Sequence, residues 1–152
     1  TTMLGRILLI TTLFMSMTFS IHAADLLGKP VYAPYQEYYN NDENYPILSA
    51  RQGWATYMDR SSIIALQDDE KGILFAYNWI EVNFDKPGNP IVRYGTRWYY
   101  HPWSEPNAIY IKSGPNAQWD KFLTTDKRAL AQRQIEGFLI GWKVLKGTNY
   151  RI

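Results

Sequence analysis

The sequence predicts an α+β domain: an antiparallel sheet of four to five strands in a meander, with a C-terminal helix packed on one face. Three observations carry that reading. Between Gln52 and Lys112, runs rich in Tyr, Trp, Ile and Val are broken by short polar or Pro-Gly turns, the pattern of hairpin-joined strands. Further on, Ala131, Ile135, Phe138, Trp142 and Leu145 recur at intervals of three and four, which is a helical period. The chain also carries 6 Trp, 12 Tyr and 6 Phe in 152 residues and no cysteine. Aromatic burial, rather than disulfides or thiolate metal sites, therefore has to hold the fold.

In chain order, residues 1–24 read as a signal peptide. Arg6 supplies a positive start, residues 7–19 are apolar without charge or proline, and Ser20, Ala23 and Ala24 are the small residues a signal peptidase cuts behind, after Ala23 or Ala24. The apolar run is shorter than the roughly 18 residues that suit a spanning helix, so no stable membrane insertion is expected after cleavage. The expected location is secreted or periplasmic. With 16 Lys+Arg against 14 Asp+Glu, the net charge of +2 lacks the basic footprint of a nucleic-acid binder.

Residues 25–50 are rich in Tyr, Pro and Asn (Tyr32, Tyr35, Tyr38, Tyr39, Tyr45; Pro30, Pro34, Pro46) and have neither a helical nor a strand period. Their tyrosines predict an extended segment lying over the domain, since disordered tails are poor in aromatics. The domain proper is read as residues 51–152. Residues 54–59 form a first strand, and residues 62–66 a second short one or its continuation. Residues 68–72 are a polar hairpin turn, residues 73–84 the strongest strand, and residues 85–90 a turn around Pro87-Gly88. Residues 91–100 are a third long strand, 101–107 a loop, and 108–112 a shorter strand. Residues 118–123 read as one or two helical turns. Thr124, Thr125 or Asp126 then caps a helix to about Leu145, with Gly147 as its stop. Gly137 and Gly141 weaken that helix by roughly 1 kcal/mol each. Phe138, Ile140, Trp142 and Val144 also alternate, so a closing strand from Gly137 is the competing reading.

Side chains alternate across a sheet, which splits each strand into two faces. One face carries Leu74, Ala76, Ile80, Val82 and Phe84, then Val92, Tyr94, Thr96, Trp98 and Tyr100, then Ile109 and Ile111; it reads as the core that the helix covers. The other carries Phe75, Tyr77, Trp79 and Glu81, then Arg93, Arg97 and Tyr99, then Tyr110 and Lys112. Aromatics mixed with arginine are over-represented at recognition surfaces, so Tyr77, Trp79, Arg93, Arg97, Tyr99 and Tyr110 are the expected binding residues. The alternative is that the tyrosine-rich segment lies across this second face.

Catalytic chemistry finds little support. His101 is the single histidine beyond the signal, with Glu105 as the nearby acid, and a general base needs partners within reach. A second histidine for a metal site is missing, and Asp68, Asp69 and Glu70 read as a solvated hairpin tip. Ser61 and Ser62 lack the glycine-flanked elbow of a nucleophilic serine. No enzyme activity, cofactor or metal is expected.

Trp54, followed by Tyr57-Met58-Asp59-Arg60-Ser61-Ser62-Ile63, a charged turn and a long aromatic strand, resembles the small exported bacterial domains grouped with surface-adhesin protein E. The likeness spans about residues 54–112, and studied members of that group bind host proteins. The expected function is an exported, non-enzymatic binding or envelope-associated module with a protein partner. The competing expectation is a glycan or cell-wall polymer stacked on Tyr and Trp rings.

Overall fold

The computed structural model describes residues 35–151. The signal peptide read over residues 1–24 lies outside the described residues. Six strands follow one another: β1 (Ile47–Arg51), β2 (Trp54–Asp68), β3 (Gly72–Asn83), β4 (Ile91–Pro102), β5 (Ala108–Lys112) and β6 (Asp120–Leu123). One helix, α1 (Ala129–Lys146), ends the fold. The strands lie side by side in chain order and every neighbouring pair is antiparallel, so the sheet is a meander, curled as a half-barrel with α1 packed against it.

The sheet gains a strand at each end over the sequence reading. β1 falls before the boundary read at residue 51. It turns into β2 through Gln52 and Gly53, whose φ angles of 51° and 84° make the two-residue hairpin turn that twisted strands prefer. β6 replaces the helical turns expected over 118–123. Pairing Ile109 with Phe122 and Tyr110 with Lys121 puts Phe122 on the core side and Lys121 on the outer side, and it satisfies the backbone edge of β5.

Residues 62–66 continue β2. Between Asp59↔Asn78 and Ile64↔Ala76 the register shifts, leaving a bulge. The Asp-Arg-Ser-Ser phrase is the bulge's fastening. The Asp59 carboxylate accepts from Ser61 Oγ at 2.6 Å and from Asn44 Nδ2 at 2.8 Å. Ser62 Oγ donates to the Asp59 carbonyl at 2.6 Å and accepts the Asn78 amide at 2.7 Å. Ser62→Ala leaves that amide without its acceptor, and the expected loss is about 1 kcal/mol, read as a lower urea midpoint at unchanged m-value.

α1 is a helix throughout residues 137–145, not a closing strand, and starts three residues beyond the expected cap. Arg128 occupies the cap position, and its side chain makes no capping bond to the helix. Asp126 accepts from the Arg128 backbone and guanidinium, which hold its carboxyl down at about 2. Gly147, at φ 72°, ends the helix with its amide on the Lys143 carbonyl.

On β3 and β4 the two covers lie on the opposite faces from those expected, whereas Ile109 and Ile111 of β5 are covered by α1 as expected. α1 packs on Phe75, Tyr77, Tyr99, Ile109 and Ile111, all buried, together with Met58 and Ile73. Cross-strand register explains the grouping: Phe75 pairs with Tyr99 and Tyr99 with Ile111, so these three share a face. The tyrosine segment lies on the other side. Tyr35, Tyr39 and Tyr45 pack against Ala55, Tyr57 and Val82, with Ile80 and Phe84 around them. Tyr39 donates to the Asn89 carbonyl at 2.8 Å, and Tyr57 donates to that of Gln36 at 2.8 Å. Burial drives the Tyr57 hydroxyl far above its ordinary range. Its described residues, from Tyr35 on, cover the face at the end of the sheet where β3 meets the β3–β4 turn, and residues 25–34 lie outside the described residues.

Candidate functional site

The exchange of covers divides the expected binding residues among three environments. Tyr77 and Tyr99 are core residues, 1% and 0% exposed, and the surface read through them is closed by α1. Their rings stack at 5.8 Å, and their hydroxyls form a one-way relay. Arg97 Nη1 donates to Tyr77 Oη at 3.4 Å, the two hydroxyls meet at 3.2 Å, and Tyr99 Oη donates to the Gln134 carbonyl of α1 at 3.0 Å. Burial raises both hydroxyls, so both remain neutral donors. Burial by itself would lower the Arg97 guanidinium, but the Tyr77 and Tyr99 oxygens beside it raise it instead.

Trp79, Arg93 and Arg97 lie along the first half of β4 and its β3 partner, with Trp79 half-buried against the helix-covered core. The indole of Trp79 rests on Gly95, where a Cβ would sit 2.6 Å from the ring. The Arg93 guanidinium lies 5.8 Å over the same ring and pairs with Glu81 at 3.1 Å. Trp79 Nε1 and Arg97 Nε are buried donors with no partner among the described residues.

Tyr110 is on the outer face, because it pairs with Tyr100 and not with the helix-covered residues. There it joins residues that the sequence reading placed in the core or passed over. Trp98 and Tyr100 from β4, Tyr110 from β5 and Trp119 just before β6 form a row of rings, with Tyr100 6.4 Å from Tyr110 and 6.5 Å from Trp119. Lys112 lies 5.6 Å over Trp98, and Lys121 lies 5.8 Å over Tyr110. Glu105 accepts from Lys121 at 2.8 Å and from Tyr110 at 3.0 Å, and these two donors hold its carboxyl below the ordinary range. Ile64, 56% exposed, and Leu66, 52% exposed, extend the apolar surface along β2. The signal for this face was the helix's own glycine pair, which calls for large rings opposite it and so leaves the Trp98 face free.

His101 is a packing residue, 3% exposed, with Nδ1 on the Ala108 carbonyl at 2.7 Å and Nε2 on Tyr150 Oη at 3.1 Å. Its polar atoms and those of Glu105 thus serve different partners. Asp69 Oδ1 accepts from the Lys71 amide at 2.9 Å and from Gln67 at 3.2 Å, which lower its carboxyl, and Asp68 pairs with Lys146. These hairpin carboxylates fasten the turn and α1. Among the described residues no group of three His, Cys, Asp or Glu is arranged to hold a metal, and no helix is long and apolar enough to cross a membrane.

Fold and surfaces together define an α+β half-barrel with one helix-covered face and one partly open aromatic face. The chain matches no protein-family profile, no curated protein and no solved structure.

Proposed function

We propose that this chain is an exported, non-enzymatic binding module whose partner is a protein, engaged through the outer face of β4 to β6. The observation that carries this reading is the row of Trp98, Tyr100, Tyr110 and Trp119, set on a rigid sheet and bordered by Lys112 and Lys121. Large aromatic anchors with a charged border are what a protein-binding surface needs, and the two lysines favour a partner carrying carboxylates. The resemblance of about residues 54–112 to adhesin-type domains points the same way.

Ring geometry favours protein over glycan. A polysaccharide stacks best on ring faces that lie parallel, whereas Tyr100 is tilted 39° from Tyr110 and 64° from Trp119. The faces of Trp98 and Tyr110 are each topped by a lysine of the chain itself. In cross-linking capture from envelope and host-surface extracts, Trp98→Ala with Tyr100→Ala is expected to abolish a specific protein band. Each anchor is worth about 2 kcal/mol, or roughly 30-fold in Kd. Circular dichroism checks that the fold is kept. Retention on a glycan array that the double variant abolishes would give the surface to sugars, and undiminished capture would remove it as a site.

A further inference from the structure

β4 is much longer than the strand beside it. Trp98, Tyr99 and Tyr100 pair with β5, but residues 91–97 pair only with β3. The outer side of that stretch has no strand partner among the described residues. It offers about 20 Å of edge whose alternate backbone N–H and C=O groups point away from the sheet. Its charged side chains are Arg93 and Arg97, and a bulge between Glu81 and Val82 lies opposite its start. Ile91-Val92-Arg93-Tyr94-Gly95-Thr96-Arg97 contains no proline and no lysine, is rich in β-formers, and exposes Ile91, Val92 and, at 79%, Tyr94.

The side chains on its inner face have one chemistry in common. Arg93, with 65% of its side chain exposed, and Arg97 stand four residues apart on the same face, with Gly95 and the overlying Trp79 indole between them. The unpartnered buried atoms here, Trp79 Nε1 and Arg97 Nε, are both donors. A strand laid beside β4 places its own side chains about 4.5–5.5 Å from residues 93, 95 and 97. What complements that row is acceptor, acceptor, acceptor: a carboxylate opposite each arginine and a hydroxyl or carboxylate opposite Gly95. A second copy of this chain does not fit. Symmetric antiparallel pairing of two such edges gathers both copies of Arg93 and Arg97 on one face, and a two-fold axis at Gly95 sets Arg93 directly opposite Arg97. Like charges facing each other across strands destabilise the pair.

We propose that the free edge of β4, residues 91–97, accepts an extended acidic peptide as an added strand, with its carboxylates opposite Arg93 and Arg97. Main-chain bonds supply affinity and the alternate acidic positions supply selectivity, as in other edge-addition complexes. This surface is separate from the outer aromatic row and does not depend on it.

The test uses fluorescently labelled seven-residue probes and anisotropy. The acidic probe VEVTVEV is expected to bind saturably, and its lysine counterpart VKVTVKV at least about tenfold more weakly. Arg93→Glu, a change at an exposed side chain, is expected to remove the preference that the parent chain shows. Methylating one alternate set of backbone amides in the acidic probe abolishes binding, while methylating the other set leaves it, because only one set faces β4. The variant Trp98→Ala with Tyr100→Ala binds the acidic probe as the parent chain does. Equal binding of acidic and basic probes, equal binding of the two methylated probes, or loss of binding in the outer-face variant would each overturn the proposal. So would sedimentation showing that the chain dimerises through this edge and that the acidic probe fails to dissociate it.

Discussion

Phe138→Ala is expected to lower stability by about 3–5 kcal/mol, the range for removing a fully buried phenylalanine. Phe138 is 0% exposed and is the hub on which the helix turns against the sheet. Its ring meets Phe75 at 5.7 Å and Tyr99 at 6.1 Å on the sheet side, His101 at 5.5 Å, and Trp142 and Tyr150 at 6.0 and 5.1 Å on the C-terminal side. The helix cannot easily close the hole, because α1 is held on both sides of Phe138: at Gln134 by Tyr99, and at Lys146 by Asp68. A domain of this size has about 5–15 kcal/mol in all, so the variant should be marginally folded at 25 °C. Urea unfolding followed by tryptophan fluorescence measures the loss. A loss under 1 kcal/mol would mean that α1 contributes little to holding the sheet.

The second large effect has the opposite sign from what helix propensity alone predicts. Alanine is favoured over glycine inside a helix by about 1 kcal/mol. At Gly141, however, an added Cβ falls 2.3 Å from Phe75 Cε2 and 2.6 Å from its Cζ. At Gly137 it falls 2.4 Å from Tyr77 Oη and 2.5 Å from Tyr99 Oη. All three rings are fully buried and cannot step aside, so α1 has to lift from the sheet. Overpacking of this kind costs about 1–3 kcal/mol, and it outweighs the propensity gain. Gly141→Ala is therefore expected to destabilise by up to about 2 kcal/mol net, and the double change with Gly137→Ala by more than either alone but less than their sum, because both clashes are relieved by the same lift of α1. Melting curves of the single and double variants decide it. An unchanged or higher Tm would show that the rings have room.

These glycines also explain why the fold was legible while the site was only half so. Strands between residues 54 and 112 announced themselves through alternation and turn residues, and the helix through the spacing of Ala131, Ile135, Phe138 and Trp142. β1 and β6 were missed because each is short, and each is a strand only by virtue of the longer neighbour it pairs with. Assigning faces failed for a different reason. Both sides of β3 and β4 are apolar and aromatic, so alternation separates Tyr77 and Tyr99 from Trp98 and Tyr100 without saying which set is covered. The Gly137–Gly141 groove decides it, since two missing Cβ atoms admit the rings of Phe75, Tyr77 and Tyr99 and bring the helix backbone onto them. Of the expected binding residues, Arg93 and Arg97 lie on the stretch of β4 that has no second strand neighbour among the described residues, Trp79 lies across Gly95 from β3, Tyr110 is on the outer face, and Tyr77 and Tyr99 become the floor beneath the helix.

The order of strands, their turns, the single helix and its two glycines follow from local chemistry that a linear chain already contains: periodicity of two or of 3.6, turn residues where φ must be positive, and reliance on aromatic burial in the absence of cysteine. Tertiary structure alone settled which aromatic face is closed and which stays open, and it left seven residues of β4 unpaired beyond a shorter β5. Both outcomes depend on how elements of unequal length and shape meet. Alternation along one strand records that it has two faces, but the helix or strand that covers each is chosen only when the pieces pack.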